Sequence, residues 1–343
     1  MRQRILGHTG ISVSELCLGA MMFGPWGNPD HDASVAVIHR ALDAGVNFID
    51  TADAYSGGES ETIVGKALAG GRRDDVVLAT KFFMPMGEDP NHGGTSRRWI
   101  VKAVEDSLRR LGTDWIDLYQ VHRFDPRTDI DETLGALSDL VHQGKVRAIG
   151  HSTVKASELV EAQWVAERRG RERFRTEQPP YSILSRSVEH DVLPTAQRHG
   201  LGVLAYSPLA GGWLSGGYRK GRDIAGPGSA ARKMRFGHRY DLSLPINQRK
   251  LDAADALGAL ADEAGLTTIQ LALAFVTGHP AVTSAIIGPR TMEHLESQLE
   301  AADVVLSADV LDRIDEIVAP GETVDPGEFP MLSPALAPEA RRR

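Results

Sequence analysis

The sequence predicts an α/β chain folded as a (β/α)8 TIM barrel, and three observations carry that prediction. Eight short apolar runs of strand length recur along the 343 residues. Between them lie stretches with apolar residues at spacings of three and four, the helical period. Nearly every run ends in a polar residue, as expected where barrel strands give way to the loops that carry chemistry. Alternating strand and helix makes βαβ units and a parallel sheet. Eight such units favour a closed barrel over an open sheet.

The elements follow in order. Residues 1–14 hold Gly7 and Gly10 between short apolar runs, which reads as a β-hairpin ahead of the barrel. Strands are expected at 16–18, 46–49, 76–80, 116–121, 146–149, 174–177, 202–206 and 285–287. Helices are expected at 33–44, 60–69, 99–111, 133–143, 155–168, 188–199, 251–264, 268–276 and 292–301. Ser60 can cap the second helix, and Gly70 with Gly71 ends it. The helix opened by Lys155 closes with Arg168 and Arg169, positive charge at its negative end. Residues 209–248 contain eight glycines and many arginines. They form a long loop after strand seven, and a loop of that length in a compact barrel is functional or mobile. Residues 319–343, rich in proline and alanine, read as a tail, either packed over the barrel or loose. Nothing divides the chain, so 1–343 reads as one barrel domain with its core in 1–318.

Composition narrows the function. Hydrophobic residues make up 42% and charged residues 24%, which places the chain among globular proteins. With 38 basic and 46 acidic residues the formal net charge is −8. That speaks against broad nucleic-acid or membrane-surface binding, which needs a basic face, but leaves room for a local basic pocket. Cys17 is the single cysteine, so neither an internal disulfide nor a cysteine zinc cluster is possible. No apolar run follows Arg2 and Arg4, and no stretch of 18 apolar residues exists. A cytoplasmic enzyme acting on a small molecule, with no nucleic-acid or membrane partner, is the expectation.

The strand ends carry the chemistry. Strand two ends in Asp50, with Asp53 and Tyr55 just beyond. Strand three ends in Lys81, strand four in His122, strand five in Ser152 and Thr153, strand six in Gln178, strand seven in Tyr206 and Ser207, strand eight in Gly288. Polar residues end strands in any protein, but Asp, Tyr, Lys and His converging from three consecutive strands suit proton transfer coupled to hydride transfer. A free phenol near pKa ~10 exchanges protons poorly at neutral pH, and an ammonium beside it lowers that value. A carboxylate holds the ammonium, and a histidine donates to a developing alkoxide.

The segment 48–55 (FIDTADAY), Thr80 with Lys81, and the segment 117–122 (DLYQVH) resemble the aldo-keto reductase superfamily, in its bacterial and potassium-channel β-subunit-like branch. The resemblance continues through 144–150 (GKVRAIG), Glu177 with Gln178, 206–209 (YSPL) and 286–290 (IIGPR), and covers roughly residues 1–318. It implies a (β/α)8 barrel that reduces an aldehyde or ketone with NADP(H). Tyr55 would be the general acid, Lys81 and Asp50 its tuning pair, and His122 the residue that orients the carbonyl. Tyr206 would stack on the nicotinamide, and Gln178, Ser152 and Thr153 would meet its carboxamide. Ser207 and Leu209 would hold the pyrophosphate. Gly288, Arg290, His294 and Gln298 would hold the adenosine end, with Arg290 on the 2′-phosphate because a guanidinium matches a phosphate bidentately. Thr153 and Gln298 stand where relatives often carry Asn, and His294 where they often carry Gln. No metal is expected.

Other signals stay open. A barrel that binds the cofactor but serves mainly as a partner-binding subunit is one rival; His122 speaks against it. A metal-dependent hydrolase using Asp50, Asp53 and His122 is another, although Lys81 would repel a cation. Gly200, Gly202 and Ala205 match a loose G-x-G-x-x-A, but ahead of a strand rather than after one. His151 should point away from Ser152 by strand alternation. Met21, Met22, Phe23, Trp26, Phe82, Phe83, Met84 and Phe124 either line an apolar substrate pocket or pack as ordinary loop residues. Arg123 and Arg127 would instead argue for an acidic substrate. The basic loop residues Arg219, Lys220, Arg222, Arg232, Lys233, Arg235 and Arg239 form either a flap over the cofactor phosphates or a solvated face.

Overall fold

The computed structural model describes residues 1–221 and 237–328. An antiparallel hairpin, β1 (Gln3–Ile5) with β2 (Ser12–Ser14), precedes eight strands. These are β3 (Leu16–Gly19), β4 (Phe48–Asp50), β5 (Val77–Phe82), β6 (Ile116–Val121), β7 (Val146–Ser152), β8 (Thr176–Gln178), β9 (Gly202–Ala205) and β10 (Val282–Ile287). Each pairs in parallel with the next, and β10 closes on β3, so the (β/α)8 barrel is present. Ten α-helices among the described residues surround it: α1 (His31–Asp43), α2 (Glu59–Leu68), α3 (Arg97–Leu111), α4 (Ile130–His142), α5 (Ala156–Arg169), α6 (Val192–His199), α7 (Pro245–Glu263), α8 (Thr268–Gly278), α9 (Met292–Leu299) and α10 (Ala308–Ile317).

Strand alternation sorts the side chains. Along β3, Cys17 joins the interior cluster while Leu16 and Leu18 face the helices. Phe48, Ala79, Leu118, Ala148, Leu204 and Ile286 fill the same interior. Leu6 and Val13 of the hairpin pack against it and plug the end where the strands begin. The hairpin seats closely because residue 7 is glycine. Its φ is +54°, and a Cβ there would lie 2.5 Å from the Arg175 carbonyl oxygen and 2.8 Å from the Gly202 nitrogen.

Two expectations need correction, one helix was not expected, and one open alternative is decided. Residues 188–199 do not form one helix: a short turn at Ser187–Glu189 precedes α6, which begins at Val192. That start puts Pro194 in the first helical turn, where its missing N–H costs nothing; a longer helix would carry it inside. Ser60 does not cap α2. The helix begins a residue earlier, after Gly58 at φ +98°, and the Ser60 hydroxyl donates to the Ala20 carbonyl at 2.7 Å. Helix α10, not expected at all, buries only Ile314 completely, so its apolar stripe is thin. Of the two readings left open for the tail, the structure gives the packed one for its start. Val324 donates to the Leu184 carbonyl at 2.9 Å, and Lys250, fully buried, pairs with Asp325 at 2.6 Å and Glu328 at 2.9 Å. Residues 329–343 of that tail and residues 222–236 of the long loop lie outside the described residues.

No single helix among the described residues is long and apolar enough to cross a membrane.

Candidate active site

Polar residues gather at the rim where the barrel strands end. Asp50 closes β4, and its carboxylate is held three ways. Oδ1 accepts from Lys81 Nζ at 2.5 Å, and Oδ2 accepts from Gln120 at 3.1 Å and Gln178 at 3.0 Å. Lys81 lies on the inner face of β5, fully buried. Its ammonium donates to Asp50, to the Thr51 carbonyl at 2.9 Å and to the Tyr55 hydroxyl at 3.1 Å. All three of its N–H bonds are therefore in use. Tyr55 opens the turn Tyr55–Gly58 after β4. The His122 ring stands 5.8 Å from the Tyr55 ring at 79°, edge to face.

Burial sets the protonation states. It pushes the Tyr55 phenol up by more than the Lys81 ammonium pulls it down, so the expected lowering by lysine does not prevail in the free protein. Lys81 is held charged: burial lowers its value, but the attraction and hydrogen bonds of Asp50 and Tyr55 together outweigh it. Desolvation, with Lys81 and Arg123 adding to it, drives His122 well below the usual imidazole value, so the ring is neutral at physiological pH.

A cavity of about 1060 Å³ opens over these groups. Asp50, Tyr55 and His122 line one end, and Lys81 sits behind Tyr55 rather than on the wall. Every residue expected for the cofactor lines the same cavity: Ser152 at the end of β7 and Thr153 just after it, Gln178 on β8, Tyr206, Ser207 and Leu209 after β9, and Gly288, Arg290, His294 and Gln298 after β10. Non-glycine residues with left-handed backbone cluster on this rim. Ser56, Thr153, Ser207 and Ala210 have φ between +47° and +56°. Such conformations are costly for a residue with a Cβ, above all for β-branched Thr153, and collect at functional sites.

The structure also separates residues that the sequence put together. Asp53 does not line the cavity. Its carboxyl is buried beside Glu61 of α2 and Arg110 of α3, and burial with the nearby Glu61 charge pushes it up to about 8. The three ligands of a metal-dependent hydrolase, Asp50, Asp53 and His122, therefore do not converge, and Asp50 already holds Lys81. Met21, Met22, Trp26 and Met84 line the cavity, whereas Phe23 and Phe82 are core residues and Phe124 packs against the core. Arg127 is paired with Asp125 at 3.0 Å. Arg219 pairs with Asp262 at 2.7 Å and Lys220 with Asp252 at 2.9 Å, both on α7, so neither reaches over the cavity as a flap would. Arg239 does line it, donating to the Glu328 carbonyl at 2.9 Å. Arg222, Arg232, Lys233 and Arg235 lie outside the described residues. His151 points to the helix side, bonded to Glu177 and edge-on to Phe174, as alternation requires.

Two neighbours of the candidate site were missed. Gln120 shares the inner face of β6 with His122, two residues on, and the period of two could have found it. Glu328 reaches the cavity from the tail, and no local pattern marks it.

The aldo/keto reductase family model matches residues 15–319, the whole barrel and its rim. The chain belongs to the aldo/keto reductase family. Relatives agree over nearly the full length. The Bacillus subtilis protein "Uncharacterized oxidoreductase YrpG" is 41% identical over 92% of this chain and 96% of its own. "Aldo-keto reductase YhdN" of the same organism is 35% identical over 90% and 91%. A "Probable voltage-gated potassium channel subunit beta" of Oryza sativa subsp. japonica is also 35% identical, over 93% and 97%. Membership in the aldo/keto reductase family, with oxidoreductases among these relatives, supports a general oxidoreductase function.

The buried Asp53 carboxyl makes stability depend on pH. The folded chain keeps its proton up to about 8, whereas 3.8 is the ordinary value for the free side chain. Between those values the folded state binds more protons, so its stability falls as pH rises. This contribution is fully present below the ordinary value and lost above the raised one. Asp53→Asn carries no such proton. Urea midpoints from about pH 5 to about pH 9 should therefore fall less in Asp53→Asn than in the parent. Parallel profiles would show that Asp53 is charged in the fold.

Proposed function

We propose that the chain reduces an aldehyde or ketone to the alcohol with NADPH, using Tyr55 as general acid. The observation that carries this reading is the proton arrangement at Tyr55. Lys81 donates to the phenol oxygen at 3.1 Å, which leaves the phenol's own O–H to donate into the cavity. Burial keeps that phenol protonated. An alkoxide is a far stronger base than a phenolate, so protonation of the product oxygen runs downhill even from a raised phenol. Neutral His122 offers a ring N–H to the same oxygen and fixes its direction. Asp50, held by Gln120 and Gln178, keeps Lys81 in place.

The residues present fit a nicotinamide dinucleotide. Gln178 turns its NH2 towards Asp50 and Gln120, leaving its Oε1 to accept from a carboxamide. At the other end the Gln298 Oε1 is buried and has no hydrogen-bond partner, an acceptor for the adenine amino group. Arg290 lines the same end and suits a 2′-phosphate. When bound, the reduced nicotinamide supplies the hydride. The complete set of Asp50, Tyr55, Lys81 and His122 favours turnover as the chain's own activity over the partner-docking role suggested by the channel-subunit relatives.

Arg290→Ala should weaken NADPH by about ten- to a hundredfold and leave NADH nearly unchanged, as loss of one charge-assisted phosphate contact would. Tryptophan-fluorescence titration with each cofactor measures this, since Trp26 lines the cavity. Equal losses for both cofactors would remove the phosphate role.

A further inference from the structure

We infer that Arg123 forms an anion subsite at the catalytic end of the cavity, and that the carbonyl substrate carries a carboxylate beyond an apolar or aromatic spacer. Arg123 follows His122 directly, is half-buried, and lines the cavity. One guanidinium nitrogen, Nη1, donates to the His122 carbonyl at 3.0 Å and to Thr153 Oγ1 at 2.7 Å. Both acceptors are neutral, and among the described residues no carboxylate pairs with Arg123. The contrast with Arg127, four residues on, is direct: Arg127 is neutralised by Asp125 and largely exposed.

A partly desolvated cation without a counter-ion is costly, and such a group persists where a ligand supplies the charge. These two contacts and a third to the Tyr206 hydroxyl, all neutral, hold the guanidinium in place, and its other N–H groups can meet a carboxylate. The charge acts at the reaction centre, since Arg123 is among the groups whose field reaches both Tyr55 and His122. The same cavity has apolar lining as well: Met21, Met22, Trp26 and Met84. A phosphate of the cofactor is a poorer occupant. The residues suited to its phosphates, Ser207, Leu209 and Arg290, follow β9 and β10, whereas Arg123 follows β6 beside His122. An aldehyde with an aromatic body and a carboxylate satisfies both the apolar lining and the charge.

The inference rests on the reductase reading, so the test separates them. The 2- and 4-carboxybenzaldehydes are compared with their methyl esters, which keep shape and lose charge. In the parent protein kcat/KM for at least one acid should exceed that for its ester about ten- to a hundredfold, the size of a charge-assisted contact. In Arg123→Met that ratio should collapse towards one, and in Arg123→Lys part of it should remain. Because the ratio is taken within each variant, a general loss of folding or cofactor binding cancels. The same four compounds are titrated calorimetrically into the protein with NADP+, where reduction cannot occur. Selective acid binding without turnover would support the anion subsite and sink the reductase reading. Turnover or binding without acid preference, or a preference that survives in Arg123→Met, would overturn the subsite. So would an unchanged acid-to-ester ratio in Arg123→Met together with weaker NADPH binding, which would assign Arg123 to the cofactor.

Discussion

Tyr55→Phe should lose carbonyl reduction by about 10²- to 10⁴-fold, the usual contribution of a positioned general acid, with NADPH affinity unchanged. The phenol hydroxyl is fixed from behind by a hydrogen bond from Lys81 at 3.1 Å, which aims its proton into the cavity. Phenylalanine keeps the ring against Trp26 and His122 and removes only that oxygen. Loss confined to kcat would mark an interaction made in the transition state; a matching rise in KM would mark ground-state binding instead. Steady-state kinetics with one aldehyde, beside a fluorescence titration with NADPH, separates the two. Near-normal turnover would remove Tyr55 from its role.

Lys81→Ala should destabilise the fold by about 3–5 kcal/mol as well as abolish turnover, because it strands a charge in the barrel. Asp50 is 2% exposed and its counter-ion is fully buried. Gln120 and Gln178 would still donate to the carboxylate but could not neutralise it. Replacing both partners by apolar residues, Asp50→Leu with Lys81→Met, should cost less than Lys81→Ala alone, since no charge is then left behind. Urea unfolding of Lys81→Ala, of the double variant and of its two single components measures the difference. Additive costs would show that the pair is not coupled.

The grouping of the candidate catalytic residues was legible because barrel geometry concentrates information at strand ends. Asp50, Lys81 and His122 each sit at or next to the end of a strand of clear apolar character, and Tyr55 follows Asp50 within a turn. The same logic reached Ser152 and Gln178, and kept His151 out. What could not be read was long-range. Asp53 and Tyr55 are two residues apart, yet one enters the layer between barrel and helices and the other faces the cavity, because the chain has left the strand and alternation no longer holds. The net shift at Tyr55 depends on how completely it is buried, which no local pattern encodes. The link from Arg123 to Thr153 joins two strand ends through a long side chain. The docking of Lys250 with Asp325 and Glu328 spans 75 or more residues of chain. Helix α10 was missed for the opposite reason: it buries too little to print a strong stripe.

The most direct test of the account is the rate at which the purified protein consumes NADPH when a panel of aldehydes and ketones is added. The account predicts saturable, substrate-dependent consumption with equimolar alcohol formed. NADPH that binds tightly but is not consumed faster with any carbonyl compound would contradict it, and would make the chain a cofactor-holding barrel rather than a reductase.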